Sequence, residues 1–159
     1  MGICNMLDET GPILMAEDNE NDILITRRAW MKGNIRNPLH VVNNGEEVLD
    51  FLYKRNGHEN APTPLLMLLD LKMPKMGGFE VIQHVKQNED LKSIPIIVLT
   101  SSERTVDICE AYKAGANSYI VKPVNFDKFI KSILDVKNYW LNICKMPHVP
   151  KPSSGITQI

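Results

Sequence analysis

The chain is short of cysteine, of net charge and of long apolar runs, and each shortage removes a class of protein. Three cysteines in 159 residues, Cys4, Cys109 and Cys144, are odd in number and have no CxxC spacing, which argues against a disulfide framework or a zinc site. They read as buried or idle thiols. With 18 basic and 19 acidic residues the net charge is −1, so there is no general electrostatic attraction to nucleic acid or to a membrane surface. No window approaches the roughly 20 apolar residues of a membrane span, and Met1–Met6 lacks a basic region followed by a long apolar stretch. The expectation is a cytoplasmic protein with no direct nucleic-acid binding and no membrane contact. Met1-Gly2 could begin a myristoylation signal, but Met6 stands where that signal needs a hydroxyl residue. His40, His58, His84 and His148 show no mutual metal-like spacing, and none is nominated for a site.

What is present is ordinary globular material, 43% hydrophobic and 23% charged. A chain of this length fits one domain and buries about two-thirds of its unfolded surface, enough to fold without disulfide or metal. Apolar runs of four to seven residues alternate with helical patterns, the signature of a parallel sheet covered on both faces. Strands are expected near 12–17, 38–43, 64–70, 94–100 and 118–121, and helices near 20–33, 45–55, 78–88, 104–114 and 125–144. Gly33, Gly57 and Gly115 are placed as C-terminal caps, and Asn19, Asn44 and Ser102 as N-caps. In the last helix Phe126, Phe129, Ile130, Ile133, Val136 and Trp140 recur at steps of three and four, which marks a packing stripe. Residues 1–10 and the Pro- and Ser-containing stretch 145–159 read as flexible termini around a domain at 11–144, with no output domain following.

Four of the strand-like runs end in chemically active residues. Pro12-Ile13-Leu14-Met15-Ala16 runs into Glu17-Asp18, Pro64–Leu69 into Asp70, Ile94–Leu99 into Thr100-Ser101-Ser102, and Ser118–Val121 into Lys122-Pro123. Open parallel sheets place their chemistry beyond the carboxyl ends of their strands, so three acids, hydroxyls and a lysine converge on one edge.

These residues, with Pro74 and Gly78 behind Asp70 and the aromatic Tyr119, make roughly residues 11 to 144 resemble the receiver domain of two-component response regulators. The polar loop Asn56–Pro64 and the stretch Glu17–Leu24 resemble features of the single-domain regulators that accompany bacterial phytochrome-type histidine kinases. The resemblance implies a flavodoxin-like, doubly wound five-stranded α/β fold with strand order 2-1-3-4-5. It also implies a phosphoacceptor at Asp70, and Mg²⁺, for which Mn²⁺ can substitute, held directly by Asp18, Asp70 and the backbone carbonyl of Lys72, with Glu17 acting directly or through water. Thr100 and the Ser101 N–H would bind the phosphoryl group, Lys122 would supply a cation to it, Pro123 would form a cis peptide turning the lysine inward, and Tyr119 would act as the switch aromatic. The implied partners are a histidine kinase or phosphotransfer protein, an unidentified downstream protein and a second copy of the chain. Gly77 and Lys72 depart from the family's commoner Asp and Asn.

The chemistry agrees with that assignment. A carboxylate that accepts a phosphoryl group must be anionic and needs a divalent cation to neutralise the oxygens it meets, and magnesium favours a few carboxylates plus water. Two rivals are weaker. A haloacid dehalogenase-type enzyme, the enzymatic alternative to a switch, has a second acid two residues after its nucleophile, where this chain has Lys72. A flavodoxin-like electron carrier needs a hydroxyl- and glycine-rich phosphate loop after the first strand, where Glu17-Asp18-Asn19-Glu20-Asn21 would repel the FMN phosphate.

Overall fold

The computed structural model describes residues 11–147. Five strands, β1 (Ile13–Ala16), β2 (Leu39–Val42), β3 (Leu66–Leu69), β4 (Ile96–Thr100) and β5 (Ser118–Val121), alternate with helices α1 (Glu20–Lys32), α2 (Gly45–Tyr53), α3 (Gly78–Gln87), α4 (Thr105–Ala114) and α5 (Phe126–Val136). All strand pairs are parallel, in the order β2-β1-β3-β4-β5. The expected α/β fold and strand order are therefore observed.

The three central strands are wholly buried because each face of the sheet is covered. Leu14, Ala16, Met67, Leu69, Ile96 and Val98 join the core beneath α2, α3 and α4. Their alternate neighbours Ile13, Met15, Leu66, Leu68 and Ile97 turn the other way, and Leu99 packs with Ala29 of α1 and Phe129, Ile130 and Ile133 of α5. This period of two is why the runs read as unbroken apolar stretches rather than as alternating ones.

Caps account for most boundaries. The Asn19 and Asn44 side chains accept from the backbone N–H groups of Asp22 and Glu47, as the sequence suggests. Gly115 closes α4 in the left-handed conformation at φ 118. Three expectations are corrected. Gly57 does not cap α2; Lys54 takes the left-handed position three residues earlier, its ammonium bonded to the Ala61 carbonyl. Ser102 does not cap α4, whose N-cap is Arg104; its hydroxyl instead bonds the Asp107 carboxylate. The helix expected over 125–144 changes pitch, becoming a π-helix at Lys137–Ile143. There the wider turn keeps Trp140 and Leu141 against the core containing Ile13, Met15 and Leu68, while the Lys137 ammonium bonds the Gly33 carbonyl at 2.5 Å. Phe126 is also not part of the buried stripe; it is exposed, with the Arg28 guanidinium 5.6 Å over its ring.

Among the described thiols Cys109 is exposed and Cys144 half-buried, both free; Cys4, His148, the leader 1–10 and all but the first three residues of the 145–159 tail lie outside the described residues. No helix among the described residues is long and apolar enough to cross a membrane.

Candidate functional site

Sheet hydrogen bonding carries the key residues one step past the strands. The Glu17 N–H donates to Val42 O (3.0 Å), Asp70 N–H to Ala16 O (3.1 Å) and Lys122 N–H to Thr100 O (2.7 Å). The backbone beneath each functional side chain is thereby held by a neighbouring strand, and all three stand on the carboxyl edge between β1, β3 and β5. Gly78 tightens the arrangement from below. Its N–H donates to Leu71 O at 3.0 Å, and a Cβ added there would lie 2.4 Å from the Asp70 carbonyl oxygen and 2.8 Å from Leu71 Cα. Only glycine lets α3 begin that close to the acid.

The structure brings Glu17, Asp18 and Asp70 together, one carboxylate oxygen of each lying within 4.8 Å of the others. Glu17 and Asp70 are buried and Asp18 is exposed, so the group is open on one side. Hard oxygen donors clustered in this way fit a divalent cation. The Lys122 ammonium lies among them, 2.5 Å from Glu17 Oε2, 2.9 Å from Asp22 Oδ2 and 3.2 Å from Asp70 Oδ2. Side-chain exposures of 8% for Lys122 and 1% for Glu17 make these interactions strong for their length, because little water screens them.

The charges pull on one another. Burial pushes the Glu17 carboxyl up to about 7 against the lowering effect of the Lys122 ammonium, and the Asp70 charge adds to the rise. Burial opposes the charge on Lys122, yet its bonds to Glu17 and Asp22 and the nearby Asp70 hold its pKa above the ordinary lysine value.

Thr100 closes β4 fully buried, and its hydroxyl is a buried side-chain polar atom without a hydrogen-bond partner. An orphaned donor of this kind costs stability. Ser101 beside it is exposed. The half-buried Tyr119 donates its hydroxyl to the Ser102 carbonyl at 3.0 Å. Burial raises the Tyr119 pKa, and the charges of Asp107 and Asp70 act in the same direction. Lys72 has an exposed side chain, and its N–H reaches Asp70 Oδ1 at 3.4 Å. The expected cis Lys122-Pro123 bond is corrected: there is no cis peptide among the described residues. Lys122 reaches the carboxylates with its backbone N–H bonded to Thr100 O, one step beyond the β4·β5 ladder.

A model of the response regulator receiver domain matches residues 13–134. The chain belongs to that family. A curated relative, the response regulator Rcp1 of Synechocystis sp., is 34% identical over 145 residues, spanning 89% of this chain and 99% of Rcp1. The solved Mn²⁺-bound form of Rcp1 superposes with a TM-score of 0.82 at 33% identity, covering 87% of this chain and 99% of that one. The phosphorylated cyanobacterial phytochrome response regulator RcpA gives 0.83 at 31%, and RPA3017, described in red light signalling of R. palustris, gives 0.80 at 35%, each with the same coverage. The receiver is thus a relative of phytochrome response regulators.

Asp22 is the site residue that sequence reading overlooked. It lies in the first turn of α1, where acids are common because they suit the helix dipole, so its residue type alone does not single it out. The clue was positional: a helix starting three residues after Glu17 sets its first turn over the same sheet edge.

Proposed function

We infer that this receiver acts as a single-domain phosphorylation switch rather than an enzyme with its own substrate, the domain spanning 11–144. Asp70 accepts a phosphoryl group from a histidine kinase or phosphotransfer protein. An Asp70 carboxylate oxygen bonds to phosphorus as the P–N bond of the donor phosphohistidine breaks, its electron pair leaving with the imidazole nitrogen. Glu17, Asp18, Asp70 and the Lys72 carbonyl would hold Mg²⁺ or Mn²⁺, which when bound would supply neutralising charge to the phosphoryl oxygens. Lys122 contributes a second cation. The Thr100 hydroxyl and Ser101 N–H bind a phosphoryl oxygen, and Tyr119 follows Thr100, changing the surface around α4, β5 and α5 that a downstream protein reads.

The observation that carries this reading is the meeting of Asp70 with two further carboxylates within 4.8 Å and an ammonium at 3.2 Å. Rcp1, which this chain matches along 99% of Rcp1's length, supports the single-domain form. Hydrogen exchange with beryllofluoride and Mg²⁺ is the test. Altered protection in β4–α4 and β5 that is lost in Asp70→Ala is expected, and the same change in Asp70→Ala contradicts the reading.

A second copy is also a partner in this reading, through the last helical segment, where Tyr139 and Ile143 are exposed and the Tyr139 ring lies edge-on to Trp140. Sedimentation should find a dimer that Ile143→Asp weakens; a monomer at high concentration, with and without beryllofluoride, removes the dimer from the proposal.

A further inference from the structure

An ammonium has three N–H donors and no acceptor, and those of Lys122 are committed to Glu17, Asp22 and Asp70. Two of those partners, Glu17 and Asp70, are also two of the three carboxylates grouped closely enough to hold a cation. Asp22 is not in that group. A divalent cation would draw on two of the same carboxylates as the lysine and, carrying like charge, would weaken the lysine's hold on both. Asp22 is the one partner of the ammonium outside the metal group.

We propose that Asp22 is the positioning residue of Lys122: it holds the ammonium at the sheet edge when a divalent cation takes Glu17 and Asp70, so that metal and lysine occupy the site together. The inference rests on the proposed function and assigns a role to a residue outside the metal group. Its geometry suits the task. Asp22 reaches the ammonium from α1, whereas the other two partners stand at the ends of β1 and β3. Its backbone is fixed by the Asn19 cap and by the fully buried Thr26, whose hydroxyl donates to the Asp22 carbonyl at 2.8 Å. With a side-chain exposure of 22% it is wetter than Glu17 and stands at the open side of the group.

The consequence is a definite sign. Removing the Asp22 charge takes one of three partners from the lysine in the metal-free protein, but its one partner outside the metal group in the metal-bound one. The metal-bound state loses more, and the freed lysine competes harder for Glu17 and Asp70. Metal affinity should fall.

The experiment is a double-mutant cycle in Mn²⁺ affinity, read by electron paramagnetic resonance of the free ion in the full chain. The variants are Asp22→Asn, Lys122→Met and both together. Asp22→Asn should bind Mn²⁺ about threefold to tenfold more weakly than wild type, in the lower half of the couplings found between residues in contact. Lys122→Met should bind more tightly, because the competitor is gone. In the Lys122→Met background, Asp22→Asn should lose under about twofold, the remainder from the distant charge, which salt screens. Asp22→Glu, which keeps the charge on the same turn, should recover most of the affinity and guards against a folding defect in the Asn variant. Equal losses from Asp22→Asn with and without Lys122, or no loss at all, overturn the inference. Wild type that binds no Mn²⁺ overturns the proposed function itself; wild type that binds Mn²⁺ and is phosphorylated on Asp70 while Asp22→Asn behaves identically overturns only the role of Asp22.

Discussion

Thr100 carries an unmet hydrogen-bonding demand at the carboxyl edge of the sheet. Its hydroxyl is fully buried without a partner, and an unsatisfied buried hydroxyl costs roughly 1–3 kcal/mol. Valine has nearly the same shape and no such need. Thr100→Val should therefore leave the unphosphorylated protein as stable or up to about 1 kcal/mol more stable, yet abolish the exchange response to beryllofluoride. A lower melting temperature would show that the hydroxyl is satisfied and not waiting for a phosphoryl oxygen. The sequence made Thr100, Asp70, Glu17 and Lys122 legible because each closes an apolar run, and parallel sheets collect such ends on one edge. Asp22 and Ser102 were not legible in this way. Asp22 has a sufficient local role as a first-turn acid and Ser102 only the look of an N-cap that the structure does not use, and their contacts to Lys122 and Asp107 exist only once α1 and the β4–α4 loop are packed.

Strands and helices fell within about three residues of expectation because hydrophobic period and cap chemistry agree along most of the chain. The exceptions have physical causes. Val136 ends an α-helical stripe that periodicity could see, but the π-helical pitch after it follows from the tertiary contacts of Trp140 and Leu141 with the sheet. Lys54 displaced Gly57 as a cap because its side chain finds the Ala61 carbonyl across the loop. The junction of β3 with α3 gives a sharp prediction. At Gly78 an added methyl meets two backbone positions, which cannot turn aside as a side chain could, whereas at Gly77 it meets only Leu71 O at 3.4 Å, ordinary contact. Gly78→Ala should cost about 1–3 kcal/mol as overpacking and weaken Mn²⁺ binding by moving Asp70; Gly77→Ala should do neither. Thermal melts and metal titration of the pair check this, and equal behaviour of the two variants would contradict the close approach.

The site is a liability to the folded protein when no cation is bound, since the carboxylates of Glu17, Asp18, Asp22 and Asp70 face one ammonium. Relief by metal follows mass action, roughly 2.7 kcal/mol at a hundredfold excess over Kd. Asp70→Asn removes one charge, so it should melt higher than wild type in EDTA and gain less from Mg²⁺. The pH dependence has a fixed sign. Glu17 titrates near 4.5 when unfolded and about 7 when folded, so the folded state binds the extra proton, and this contribution to stability is full below pH 4.5 and is lost as pH rises through about 7. In EDTA the melting temperature of wild type should fall across that window, and less steeply in Asp70→Asn, where one cause of the raised pKa is gone. A rise across the window would contradict the burial of Glu17 beside Asp70. The reading as a whole stands or falls on where phosphate goes. Incubation with acetyl phosphate, followed by mapping of the modified residue, should label Asp70 in Mg²⁺ and nothing in EDTA or in Asp70→Asn; label on any other residue, or undiminished labelling of the variant, would contradict it.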